Sequence, residues 1–482
     1  MTTIIVGGGI IGLSTAFYLV SEQQCENIIV VDTARQLFTC ASGRAAGFLN
    51  KSWFSKKTSN LAELSFSLHE ELADTNDGYH NWGYRRSQAW STAVKKDGMS
   101  SEEYELLKTE RLQSQQQENA GSRRGYNELD EEQKFLVEPD VPDWVFCEDE
   151  HTFQIAGAEE CAQIHPHRLC EFLLKQCIDM GVEVLHPAQL HSIKTNSDGI
   201  VVSAVIRDLH TTMDRTVTDT ITLIIAAGAW TSRVFESLFP EGEYHPPITS
   251  LAGFSMTVTS PLLRYNGPLP ISDPSSTPGS TASSSFDINN DDLDLISHEE
   301  ENFEVNEADD DSQIRDALFI RTTGRSKWAP ELFSRSNGEI YIAGLNAAGF
   351  HPSLGSMAPA SHFNTEDAVD DTIVEDAEAT PQQRSQHLNN FVILKQAAQS
   401  LLGPDISILR RSLCLRPVTT TGEPIMGLVL PCLVSGTKGV YISAGHGPWG
   451  ISLCLGSGKV MAELINTGKA SSADISGLAV KV

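Results

Sequence analysis

The sequence predicts an α/β protein of two domains, one of them built on a parallel sheet. Three observations predict it. The chain opens on an apolar run, Thr3-Ile4-Ile5-Val6, that leads into Gly7-Gly8-Gly9-Ile10-Ile11-Gly12 and a helical pattern from Leu13 to Leu19. A second apolar run, Ile28-Ile29-Val30-Val31, ends in Asp32, twenty residues past Gly12. Buried-strand and helix patterns then recur over 160–235 and 405–470, so both halves of the chain feed the same sheet. At 482 residues the chain is also long for a single core.

The opening unit is a strand, a glycine turn, a helix and a strand closed by an acid. Its one common use is to hold the pyrophosphate and ribose of a dinucleotide. Gly7 lets the chain turn off the strand, Gly9 lets backbone approach a phosphate, and Gly12 lets the helix sit close to the sheet. Ile10 and Ile11 begin the helix, whose unpaired N–H groups and partial positive charge suit a pyrophosphate. Asp32 accepts ribose hydroxyls, its charge disfavours a 2′-phosphate, and Thr33 follows it at the strand end.

Composition sets bounds. The formal charge is −28. Asp287 to Asp311 holds twelve acids and Glu366 to Glu378 seven more, with no base in either stretch. This balance argues against nucleic-acid binding. No run approaches the ~20 apolar residues of a membrane span. Nine cysteines without a C-x-x-C pattern read as reduced thiols. The first strand starts at once, leaving no room for a leader, and Leu478-Ala479-Val480-Lys481-Val482 carries no peroxisomal address. A cytoplasmic location is the expectation.

Along the chain, the acidic stretches near 268–312 and 355–385 read as disordered insertions, and 96–134 as a polar excursion. Each is a solvated surface loop or, alternatively, a docking segment for a basic partner. Pro166 starts an amphipathic helix, and Gly181–Leu185 is a turn and strand. Ile200–Val205 and Thr218–Thr222 form an antiparallel pair, and Leu223–Gly228 is a fully buried strand. Gly439–Ala444 is a strand that runs into Gly445–Ile451, with a helix from about Leu455 to Ile465. The expected division is 1–60, 155–250 and 405–482 for the dinucleotide domain. The second domain is then built from 61–154 and 251–404.

Five motifs in order give a family resemblance. They are Gly7-x-Gly9-x-x-Gly12 with Asp32; Ala41-Ser42-Gly43-Arg44-Ala45-Ala46-Gly47; the Pro166 helix start; Ala226-Ala227-Gly228-Ala229-Trp230; and Leu415-Arg416-Pro417 through Gly427 with Gly445-His446-Gly447-Pro448-Trp449-Gly450-Ile451. Together they resemble the D-amino-acid-oxidase superfamily, which includes glycine oxidase, sarcosine oxidase and fungal oxidoreductases. The resemblance implies an FAD-binding Rossmann-like domain plus a smaller α+β substrate domain with a mixed or antiparallel sheet.

It also implies roles. Ser42, Gly43, Arg44, Ala46 and Gly47 lie at the carboxyl edge of the sheet, beside pyrophosphate and flavin. Ala227, Gly228 and Trp230 end a strand against the cofactor. The Gly445–Ile451 loop opens a helix toward the flavin pyrimidine, with His446 as a flavin contact. Arg416 is the substrate-carboxylate candidate, because a guanidinium fork matches a carboxylate. Cys414, two residues before it, sits near where sarcosine oxidase bonds FAD covalently; a free buried cysteine is the commoner reading.

The family's typical reaction takes a hydride from a C–H beside an amine, and oxygen then accepts the electrons as hydrogen peroxide. Gly338–Gly344 lacks the oxygen-activating lysine of sarcosine oxidase, and Lys51, Arg325 and Lys327 are the other candidate bases. A flavin dehydrogenase, or an FAD-stabilised interaction factor, are the alternatives. No metal cluster, nucleophile elbow or P-loop is legible.

Overall fold

The computed structural model describes residues 1–23, 25–94, 142, 144–145, 152–263, 315–322, 329–335, 337–348 and 381–481. The 96–134 excursion, the 268–312 insertion, residues 355–380, Arg325 and Lys327 lie outside the described residues. No helix among the described residues is long and apolar enough to cross a membrane.

The first sheet has a parallel centre. Its order is Ile425–Leu428, Val440–Ala444, Asp214–Ile225, Thr2–Val6, Ile28–Val31 and Glu183–Leu185. Val440–Ala444 through Glu183–Leu185 run parallel, and Ile425–Leu428 pairs antiparallel at the edge. Thr2–Val6 is buried at every residue, as expected of a central strand covered on both faces. One face packs Leu13, Leu169, Leu173 and Leu455 from the helices Ile10–Ser21, Pro166–Asp179 and Gly450–Thr467. The other face packs Leu190, Val201, Phe235 and Leu238.

Asp214–Ile225 is one twelve-residue strand, where the sequence reading divided it in two. Its first seven residues alternate in exposure and its last five are buried. The first half pairs antiparallel with Val201–Asp208; the second enters between Thr2–Val6 and Val440–Ala444.

The second sheet is mostly antiparallel. Its order is Ser407–Thr419, Ile248–Thr259, Ile340–Ala348, Glu331–Ser334, Arg315–Thr322, Arg85–Val94, Cys161–Gln163 and Phe48–Asn50. Only Arg315–Thr322 and Arg85–Val94 pair in parallel along that order. Ser407–Thr419, read from sequence within the first domain, pairs along Ile248–Thr259 instead. Strand pairing is a long-range match, and local periodicity carries no trace of it.

Two helix boundaries differ from expectation. Pro381–Leu402 is helical, so residues 381–385, read from sequence as part of a disordered insertion, belong to a helix. Phe391, Leu394, Ala398, Leu401 and Leu402 are buried with Phe254, Met256, Leu413 and Ile342 of the second sheet. That apolar face, absent from the acidic run, is what folds the segment. The carboxy-terminal helix starts at Gly450, five residues before the expected Leu455. The helix therefore opens directly off the Gly445–Trp449 loop.

Candidate functional site

A cleft opens at the carboxyl ends of the parallel strands, where ligands of open α/β sheets bind. Its wall carries Val6, Val31, Ala226 and Ala444 from or just after four strand ends. It encloses about 1510 Å³, part of it open to solvent. Its lining runs from the Asp32 turn past Ser42 and Ala226–Trp230 to the Gly447–Ile451 loop, a span that suits an extended ligand.

Two helix N-termini meet there. Ile10 and Ile11 belong to one, Gly450 and Ile451 to the other. Neither helix has an acidic residue in its first turn. Gly9, the cap of the first, contributes no side chain; Ser42 Oγ, from another segment, accepts the Ile10 N–H at 3.0 Å. The leading N–H groups of a helix have no internal partner, so both ends offer donors and partial positive charge to an anion.

Asp32 organises the turn beside them. Its Oδ2 accepts the Gly8 N–H at 2.7 Å and its Oδ1 the Ala34 N–H at 2.8 Å. Each carboxylate oxygen keeps a second lone pair for a ribose hydroxyl. Gly7 has φ +115°, and a Cβ there would fall 2.4 Å from the Ala226 carbonyl oxygen. At Gly12 a Cβ would fall 2.0 Å from the Gly7 oxygen. Helix, turn and strand are thus in backbone contact, which only glycine permits.

Of the residues singled out from sequence, Gly7, Gly9, Ile10, Ile11, Asp32, Thr33 and Ser42 line the cleft. So do Ala227, Gly228, Trp230, His446, Gly447, Pro448, Gly450 and Ile451. The others stand behind it. Gly12, Gly43 and Gly47 make close backbone approaches to Gly7, Phe38 and Ile164 respectively. Arg44 is buried, and its carbonyl accepts the Tyr341 hydroxyl at 3.1 Å. Ala46 gives its carbonyl to Arg335. Gly445, at φ +82°, turns the chain out of its strand. Sequence reasoning missed Gln189 and Arg233, which also line the cleft. Arg233 follows the Ala226–Trp230 motif by one helical turn, and that spacing was the available signal.

Arg416 and Cys414 alternate on their strand with Leu415 and Pro417, which line the cleft. Arg416 Nη1 donates to Asn346 Oδ1 at 2.9 Å. Its guanidinium lies across Gly253, where a Cβ would come within 2.8 Å of Nη2. Asn346 is neutral; burial works against the cation, while Cys414, Tyr341 and Glu331 nearby favour it. Cys414 is buried, which pushes its thiol pKa up against the opposing influence of Arg416.

His446 is 3% exposed. Its Nε2 lies 3.0 Å from Ser457 Oγ, and burial pushes its pKa down to about 3. Beside it, Trp449 meets Phe54 with ring centroids 4.9 Å apart, and Trp53 meets Phe319 at 5.3 Å. No group of three or more His, Cys, Asp or Glu residues among the described residues could hold a metal ion.

A glycine-turn cleft between two helix N-termini at the carboxyl edge of a parallel sheet is the geometry of a dinucleotide site. The chain matches the family model "FAD dependent oxidoreductase" over residues 2–464 and belongs to that family. FAD is therefore the cofactor, and the backbone approaches at Gly7 and Gly12 with the two free helix ends fit it. A Schizosaccharomyces pombe protein described as an oxidoreductase is 24% identical over 98% of this chain and 96% of its own. Glycine oxidase from Geobacillus kaustophilus is 15% identical, with a TM-score of 0.59 over 99% of this chain and 98% of that one. L-proline dehydrogenase from P. horikoshii is 12% identical, with a TM-score of 0.56 over 98% and 95%. At these identities the structures speak for the fold alone.

Proposed function

We propose that the protein oxidises the C–N bond of a small amine or amino acid, with oxygen as the electron acceptor. The observation that carries this reading is Arg416. Its side chain lies on the face of the strand opposite the cleft-lining Leu415 and Pro417, laid flat over Gly253 and bonded to the neutral amide of Asn346. That is a ready seat for a substrate carboxylate, which two parallel N–H groups bind bidentately.

The first helix end and Ser42 would hold the pyrophosphate of FAD, Asp32 its ribose, and the Gly445–Ile451 loop with its helix end would meet the flavin. FAD, when bound, supplies the two-electron acceptor for a C–H beside an amine. Arg416 fixes the substrate's orientation, so no separate acid–base dyad is needed once the amine is uncharged and aligned. Phe48, Trp53, Phe319 and Trp449 pack ring against ring in one cluster. The parallel sheet serves as the cofactor domain and the second sheet as the substrate side.

One observation favours a second reading. The strand Ile340–Ala348 carries no lysine, which favours a dehydrogenase with an acceptor other than oxygen. The acidic insertions leave room for a protein partner as well. Anaerobic addition of amines to the FAD-loaded protein tests the reading. Loss of the flavin absorbance supports amine oxidation, and readmitted air restores it quickly in an oxidase. An unchanged spectrum across amines and amino acids contradicts the proposal.

A further inference from the structure

A second, smaller hollow adjoins the cleft across His446, which belongs to the walls of both. Its other walls include Trp53, Phe54, Glu423, Trp449 and Leu453. Its volume is about 20 Å³, room for one water-sized group. Trp53 and Trp449 stand nearly perpendicular, at 86° and 6.4 Å between centroids. Aromatic faces within ~6 Å attract a cation, and a carboxylate adds charge of the right sign.

Glu423 has one oxygen engaged by the Thr58 hydroxyl. Its backbone is fixed as well: Thr419 Oγ1 donates to the Glu423 carbonyl at 2.7 Å. The carboxylate is thus held at the rim.

His446 stands between the hollow and the cleft. Its Nε2 lies 3.0 Å from Ser457 Oγ, and its Nδ1 is buried with no hydrogen-bond partner among the described residues. Burial also keeps this ring neutral, so it does not repel a cation.

We propose that this hollow seats a primary ammonium group of the substrate, between the Glu423 carboxylate and the rings of Trp53 and Trp449. The substrate class is then a diamine or an amino acid with a second, remote amine. This inference rests on the amine-oxidising reading for its substrate, though the binding it claims is measurable without turnover.

The test is calorimetric titration of the FAD-loaded, anaerobic protein with 1,5-diaminopentane and with pentylamine. The expected result is at least tenfold tighter binding of the diamine. Glu423→Gln, which keeps the shape and the Thr58 contact, is expected to abolish that preference. Trp53→Leu, which removes one aromatic face at a half-buried site, is expected to reduce it several-fold. Equal binding of the two amines by the wild type overturns the ammonium seat, even if both are oxidised. A preference that survives in both variants overturns it too. A preference that Glu423→Gln abolishes, in a protein whose flavin no amine bleaches, upholds the seat and contradicts the oxidation reading instead.

Discussion

Ser42 Oγ accepts the Ile10 N–H at 3.0 Å, so the cap of the first helix comes from a residue thirty-two positions away. One hydroxyl ties the glycine turn to the Ala41–Arg44 segment and stands where a phosphate is expected. Ser42→Ala removes both. Loss of a cap costs about 0.5–2 kcal/mol. The variant is expected to lower the melting temperature of the FAD-free protein by a few degrees and weaken FAD binding about tenfold by fluorescence titration. Unchanged values for both contradict the assignment.

Gly7→Ala meets a backbone oxygen, which no rotamer change relieves. The residue also needs φ +115°. Backbone strain of this kind belongs to the severe class, on the order of 3 kcal/mol or more. Loss of bound flavin and a lower urea midpoint are the expected outcomes. A stable yellow Gly7→Ala protein is incompatible with the geometry described.

Arg416→Lys keeps the charge and loses the fork. Charged hydrogen bonds contribute about 1.5–3 kcal/mol. Steady-state kinetics are expected to show KM for a carboxylate-bearing amine rising ~10–100-fold, with kcat much less affected. An amine without a carboxylate is expected to respond little. If both substrates respond equally, Arg416 does not bind a carboxylate.

Acid stability follows from His446, His69 and His165, whose pKa values burial lowers. Burial pushes His446 down to about 3 and His69 down to about 4, from an ordinary 6.5. The unfolded chain takes up protons as pH falls through 6.5, and the folded chain does not until about 4 and 3. Stability is therefore complete above pH 7 and declines between about 6.5 and 4. Each histidine contributes up to about 1.4 kcal/mol per pH unit in that window. Urea unfolding at pH 7, 6 and 5 is expected to show this, and His69→Gln to remove about one proton from the slope. A flat profile for the wild type contradicts it.

Cys414 is expected to remain a thiol. Burial raises its pKa, which disfavours the thiolate needed for attachment. Acid precipitation is expected to release all flavin to the supernatant; a yellow pellet shows a covalent bond.

The parts legible in the sequence are local ones. Gly7, Gly9 and Asp32 lie within one strand–turn–helix–strand unit, so spacing alone announces them. Leu223–Ile225 is legible because a strand covered on both faces is uniformly apolar. What was not legible depends on distant partners. Nothing near Arg416 in sequence points to Asn346 or Gly253, seventy residues and more away. Nor does the His446 loop foretell that Ser457, about two turns into the next helix, meets its Nε2. The edge position of Ser407–Thr419 and the helix at Pro381–Leu402 arise from pairing and packing with residues outside either segment.

The central claim is that the two helix ends close around a single FAD. Titration of the folded, FAD-free protein with FAD, followed by flavin fluorescence, tests it most directly. The account predicts saturation at one FAD per chain, with binding weakened in Ser42→Ala and lost in Gly7→Ala. A natively folded chain that leaves flavin fluorescence unchanged throughout the titration contradicts it.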